Sequence, residues 1–204
     1  MYRHFFKRLI DIVLSFIAIV VLLIPIAIIS LIILITDPGP IYFKQKRFGK
    51  DKKYFKILKF RSMKVDTPDV PTDKLKNPEQ YVTGIGKFLR KTSLDELPQI
   101  FNIFIGQMSF IGPRPALWNQ KELIKLRDKV HANDVRPGLS GWAQINGRDD
   151  ISEKKKAQLD GEYMENISFI FDCKCFFGTF TKVAKSEGVK GWKKYYSSHR
   201  KQNH

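Results

Sequence analysis

The 204-residue chain is short of acid, cysteine and histidine. Twenty Asp+Glu face 36 Lys+Arg, which leaves a formal net charge of +16. Two cysteines exclude a disulfide-stapled scaffold. Their Cys173-x-Cys175 spacing lacks the second ligand pair of a structural zinc site. His4, His131, His199 and His204 belong to no motif, so a histidine-based catalyst has no support. No internal repeat is visible. No recognised nucleic-acid-binding motif accompanies the positive charge, so nucleic acid is not an expected partner.

Long apolar runs are also lacking, with one exception. Of the 27 residues from 9 to 35, only Asp11, Ser15, Pro25 and Ser30 are not hydrophobic. Outside this run the composition is that of an ordinary soluble domain. The chain therefore reads as an anchor over 1–36, a basic globular domain over 37–188 and a basic tail over 189–204. The run is too long for the apolar core of a secretory signal and lacks small residues at its end. As a helix it would reach about 40 Å, more than the ~30 Å hydrocarbon core. It could span with tilt. Two features favour a re-entrant helix-break-helix instead. Pro25 removes a backbone hydrogen bond and kinks helices. Arg3, Lys7 and Arg8 precede the run while Lys44, Lys46, Arg47, Lys50, Lys52 and Lys53 follow it, and basic flanks prefer the cytoplasmic side. Asp11 inside the run needs a partner, and Lys7 and Arg8 at i−4 and i−3 are placed to serve.

Asp37-Pro38-Gly39-Pro40 is a rigid turn. Ile41–Phe48 and Tyr54–Phe60 alternate apolar with basic residues, and Gly49-Lys50-Asp51 between them predicts a β-hairpin. From Lys44 to Lys64 there are ten basic residues and one acid. Such a surface either blunts a sheet edge or faces anionic headgroups and phosphates. Proline-rich 66–80 is a loop. Helical patterns follow at 94–106, 119–131, 152–165 and 169–185, so the fold class is α/β, mixed and mainly helical. Phe169, Cys173, Phe176, Phe177 and Phe180 share one helix face, which is either core or membrane interface.

The chemistry concentrates in Arg90-Lys91-Thr92-Ser93-Leu94-Asp95-Glu96-Leu97-Pro98-Gln99. Ser93 and Glu96 have capping-box spacing, which leaves Asp95 unexplained. Two adjacent carboxylates at a helix start, with Arg90 and Lys91 nearby, can bind Mg²⁺, and one can act as a nucleophile on phosphorus. Gly112-Pro113-Arg114-Pro115 stiffens a guanidinium suited to phosphate or a planar base. Residues 136–148 combine three glycines with Arg136, Gln144, Asn146 and Arg148, a loop whose backbone could approach a ligand.

Taken together, these stretches resemble the bacterial sugar transferase family, the monotopic phosphoglycosyl transferases. The resemblance rests on Lys7-Arg8-x-x-Asp11, Asp37 through Pro40, Gln45-x-Arg47-x-Gly49, and Lys59-Phe60-Arg61-Ser62-Met63. It continues through Arg90–Gln99, Gly112–Pro115, Arg136–Arg148, and Tyr163-x-Glu165-Asn166 with Asp172. With no further membrane helices ahead of the run, it implies the family's small catalytic form. It implies a UDP-sugar donor, a polyprenyl phosphate acceptor, Mg²⁺, and a site on the cytoplasmic face of the bacterial inner membrane. Asp95 would be the nucleophile, with Glu96 orienting the site or binding metal. Lys59, Arg61, Arg90, Arg114, Arg136, Gln144 and Arg148 would hold phosphate or nucleotide. Asp172 would support the metal with Asp95 and Glu96. The anchor would re-enter at Pro25. Two departures are Ile24 before Pro25 and Asp149-Asp150 after Arg148. The competing reading is a non-enzymatic basic adaptor on the membrane surface.

Overall fold

A computed structural model describes residues 1–68, 75, 77–147 and 151–184. The tail 189–204, Pro71, Arg148 and the Asp149-Asp150 departure lie outside the described residues, as do the side chains of Phe180 and Lys182.

The apolar run folds as a single helix, α1 (Lys7–Thr36). The break expected at Pro25 is absent. Proline removes one intrahelical donor, and the turns on either side carry the helix through it. One stripe faces the rest of the protein: Asp11, Ser15, Ile26 and Ile33 are buried, with Ala18, Ile19, Leu22 and Ile29 half-buried between them. The remaining faces are apolar and bare, up to 66% exposure at Val21 and 69% at Ile24. The Ser15 and Ser30 hydroxyls donate back to the carbonyls of Asp11 and Ile26, so neither leaves an unpaired donor on the helix.

The expected hairpin is present. β1 (Tyr42–Phe48) pairs antiparallel with β2 (Tyr54–Phe60), with Phe43 opposite Lys59 and Arg47 opposite Phe55. Asp51 and Lys52 in its connection adopt left-handed φ of 53° and 58°. β2 buries Phe55 and Ile57 on one face and Phe60 on the other, and half-buried Lys59 follows on the face of Phe55 and Ile57. Phe60 joins Ile26, Ile33 and Leu89 in one core cluster, which seats the anchor against the domain.

α2 (Gly84–Thr92) is capped by the Thr83 hydroxyl, which accepts from the Gly86 amide. It ends at Ser93 in the left-handed region at φ 59°, and a short 3₁₀ turn over Leu94–Glu96 follows. The capping box does not form: the Ser93 side chain makes no cap, and only its carbonyl receives the Glu96 amide. α3 (Gln99–Phe104) then starts after Pro98.

Two short strands were not legible in the sequence. β3 (Ser109–Ile111) runs parallel to β4 (Gly138–Ser140). The contact is too close for side chains. A Cβ on Gly138 would sit 2.1 Å from the Gly112 nitrogen, and one on Gly141 2.1 Å from its oxygen. These glycines admit backbone to backbone, a role the ligand-approach reading of that loop did not anticipate. α4 (Lys121–Asp128), α5 (Trp142–Ile145), α6 (Glu153–Glu165) and α7 (Phe169–Ala184) complete the domain.

α7 bears on the core reading of its phenylalanine stripe. Its buried side is Asp172 and Cys175, whereas Phe169, Phe176 and Phe177 are 56%, 41% and 65% exposed. The stripe is not core.

Candidate active site

The 3₁₀ turn that carries Asp95 and Glu96 lies between α2 and α3, against β2. The two carboxylates have opposite surroundings. Glu96 Oε1 accepts from Lys59 Nζ at 2.7 Å and from Arg114 Nη2 at 2.9 Å. These cations arrive from 37 residues upstream and 18 downstream. Lys59 comes from the end of β2, half-buried on the face that carries Phe55 and Ile57. Arg114 comes from the stiff loop after β3, where its own carbonyl accepts from Arg127 Nη1 at 2.9 Å. Among the described residues, no hydrogen bond or ion pair reaches the Asp95 carboxylate.

The electrostatics follow. Burial alone would raise both acids. For Glu96, Lys59 and Arg114 outweigh burial and hold the carboxyl below its usual range. For Asp95, burial prevails over the attraction of Lys59, Arg90 and Arg114, and the negative charge of Glu96 adds to it, so its carboxyl is raised. One acid is clamped and ionised. Its neighbour is desolvated, uncommitted and set among cations, the condition of a carboxylate nucleophile directed at a phosphoryl group.

The other expected site residues divide. Lys59, Arg90 and Arg114 gather around the dyad. Arg61 does not: it is 5% exposed and donates to the Asp37 carbonyl, fixing the turn that leaves α1. Arg136 donates Nε to the Gly106 carbonyl at 2.8 Å. Gln144 is held in α5 with both amide atoms buried and unpartnered. Asp172 receives Tyr2 OH at 2.6 Å and Lys7 Nζ at 2.5 Å on one oxygen, and Tyr163 OH at 2.8 Å on the other. These bonds tie the start of the anchor to α6 and α7. Lys7 being so engaged, Asp11 finds its hydrogen bonds across the domain. Its Oδ1 accepts from Ser109 Oγ and from the Phe110 amide, each at 3.1 Å. Arg8 caps the far end of α3 instead, donating to the Ile103 and Phe104 carbonyls at 2.7 Å.

A family model described as bacterial sugar transferase matches residues 2–186. The chain belongs to that family. It is 40% identical over 183 residues to the UDP-glucose:undecaprenyl-phosphate glucose-1-phosphate transferase of Escherichia coli, covering 86% of this chain and 39% of that protein. It is 42% identical over 151 residues to the uncharacterized sugar transferase EpsL of Bacillus subtilis, covering 74% of this chain and 73% of that protein. It is 37% identical over 187 residues to the exopolysaccharide production protein PSS of Rhizobium leguminosarum, covering 85% of this chain and 92% of that protein. The chain thus spans about two fifths of the Escherichia coli relative and nearly all of the Rhizobium one.

Sequence reasoning missed Arg127, and it quoted Gln99 without a role. Arg127 braces the Arg114 loop while pairing with buried Asp160 at 2.7 Å. Gln99, one residue past Pro98, is 1% exposed with its amide nitrogen unpartnered. Arg127 lies at a core position of an amphipathic helix, and a charge there is the signal that was available.

Proposed function

We propose that this bacterial sugar transferase moves a sugar-1-phosphate from a UDP-sugar to polyprenyl phosphate at the cytoplasmic face of the inner membrane. The observation that carries the reading is the split dyad: Asp95, which receives no hydrogen bond or ion pair among the described residues, beside Glu96 clamped by Lys59 and Arg114. A desolvated carboxylate among fixed cations attacks an anionic phosphorus more readily than a solvated one, because the cations offset the repulsion.

In the first step an Asp95 oxygen bonds to the β-phosphorus and the bridging P–O bond breaks. UMP leaves with the bridging oxygen, and an acyl phosphate carrying the sugar remains. In the second step a phosphate oxygen of the lipid bonds to that phosphorus, and the acyl P–O bond breaks to restore Asp95. The product is a polyprenyl diphospho-sugar. Arg90 and Arg114 bear on the donor phosphates, and Lys59 keeps Glu96 ionised. Mg²⁺ suits the donors present, since it commonly binds one or two carboxylates plus substrate phosphates. Asp95 and the second oxygen of Glu96 would hold it, and when bound it would lower the charge of the diphosphate.

The membrane part of the reading rests on α1. Its packing stripe attaches it to the domain at both ends, and its other faces suit lipid. Both ends then lie on one side, as the basic flanks prefer. This is an unbroken helix lying along one face of the membrane, with the exposed phenylalanines of α7 at the headgroups.

Incubating the protein with a panel of UDP-sugars, polyprenyl phosphate and Mg²⁺, and measuring UMP, tests the activity. A labelled phospho-sugar should be trapped on wild-type protein and absent from Asp95→Asn. Flotation with anionic vesicles but no UMP from any donor would return the chain to a surface adaptor.

A further inference from the structure

A cavity of about 60 Å³ lies at the N-terminal end of α1, lined by Arg3, Lys7, Arg8, Lys50 and Arg136. None of Lys59, Arg90, Asp95, Glu96 and Arg114 lines it. Its two acids, Asp11 and Asp134, offset only part of its positive charge. Asp11 is bonded to Ser109 and Phe110, and Asp134 faces His131 at 3.0 Å. Lys7 is paired with Asp172. The three guanidiniums have no such match: among the described residues, none of Arg3, Arg8 and Arg136 forms an ion pair. Arg8 and Arg136 are instead fixed by neutral carbonyls of one turn, Ile103, Phe104 and Gly106. Those bonds hold the guanidinium planes in place without neutralising them. Lys50 stands exposed at the rim, its nearest acid 4.0 Å away.

We propose that this cavity binds the phosphodiester headgroup of an acidic phospholipid. Planar, pre-positioned guanidiniums match phosphate oxygens. The position of the cavity selects a lipid over a free anion. Phe5, Phe6 and Leu9 beside it are 63%, 41% and 47% exposed, and α1 leads from it into the apolar run. A phosphate seated there would leave its acyl chains alongside that bare helix surface. The site rests on the membrane placement of α1 and is independent of the dyad chemistry.

The test is flotation of the full chain with phosphatidylcholine vesicles, alone or containing phosphatidylglycerol. Binding to phosphatidylcholine alone reads the apolar anchor, so failure of the membrane placement shows up separately from headgroup preference. The paired variant Arg3→Gln/Lys50→Gln removes two charges that bear little on folding, and a control, Lys125→Gln/Lys154→Gln, removes two exposed charges elsewhere. The first pair should reduce the preference for phosphatidylglycerol by roughly tenfold, and the control by less than twofold. Equal losses in the two pairs, or no loss in the first, would overturn the proposal. So would low-millimolar inorganic phosphate that erases the preference where chloride of equal ionic strength does not, since the site would then take a free anion.

Discussion

At the scale of single residues, the site depends on two neighbouring acids made unlike by groups distant in sequence. Adjacent acids in a basic chain were visible at once. Which of them is the free one was not, because Lys59 and Arg114 reach Glu96 across 37 and 18 residues and no spacing rule connects them. Two variants separate the roles. Asp95→Asn should reduce UMP release by about 10³-fold or more. It should also leave melting at neutral pH unchanged or raised. The sign follows from linkage: a carboxyl raised in the folded state costs stability as pH rises through its folded value, and the amide removes that cost. Glu96→Gln should do the reverse, costing about 2–3 kcal/mol by chemical denaturation because two partly buried cations lose their acceptor. Glu96 is lowered in the folded state, so its contribution is present above the ordinary glutamate range and fades as pH falls through it. The wild-type-minus-variant difference in stability should shrink on acidification. The acid limb of the pH–rate profile should lie above the ordinary aspartate range, because the nucleophile is the raised group.

At the scale of elements, the strong periodic patterns were legible and the short ones were not. α6 and α7 begin within a residue of their expected starts, α6 behind its Ser152 cap, whose side chain accepts from the Lys155 amide. The hairpin follows its alternation from Tyr42 to Phe60. Ser93 misled because its left-handed conformation ends α2, which the capping box spacing cannot reveal. β3 and β4 are three residues each, too short for any period. They are set by glycines at 112, 138 and 141 whose reason is contact between two loops. The α4–α6 contact was equally hidden. Arg127 and Asp160, 4% and 1% exposed, pair at its centre. Breaking a buried pair leaves one charge stranded. Arg127→Met should therefore cost about 3–5 kcal/mol in chemical denaturation and also weaken donor binding, because Arg127 holds the Arg114 loop. Adding Asp160→Leu should return most of the stability and none of that donor affinity. Recovery of both together would show that Arg127 does not position Arg114.

At the scale of the whole molecule, the question is how a 30-residue apolar helix relates to a soluble domain. Composition located the run, and the basic flanks argued that both its ends stay on one side. The packing stripe supplies the physical reason. Near its start Asp11 is bonded to β3, and near its end Ile33 is 1% exposed in the cluster of Phe60 and Leu89. A helix crossing a bilayer cannot keep a polar domain along its length, because the domain would enter hydrocarbon with it at several kcal/mol per unpaired backbone group. A helix lying along one leaflet and attached at both ends can. Single cysteines at His4 and Lys44, both exposed, lie on either side of the run. In membrane vesicles of known orientation, in a background with Cys173 and Cys175 replaced, a membrane-impermeant thiol reagent should label both positions from the cytoplasmic face only. Labelling of His4→Cys from one face and Lys44→Cys from the other would mean that α1 crosses the bilayer, and the placement of both its ends on one side would have to be withdrawn.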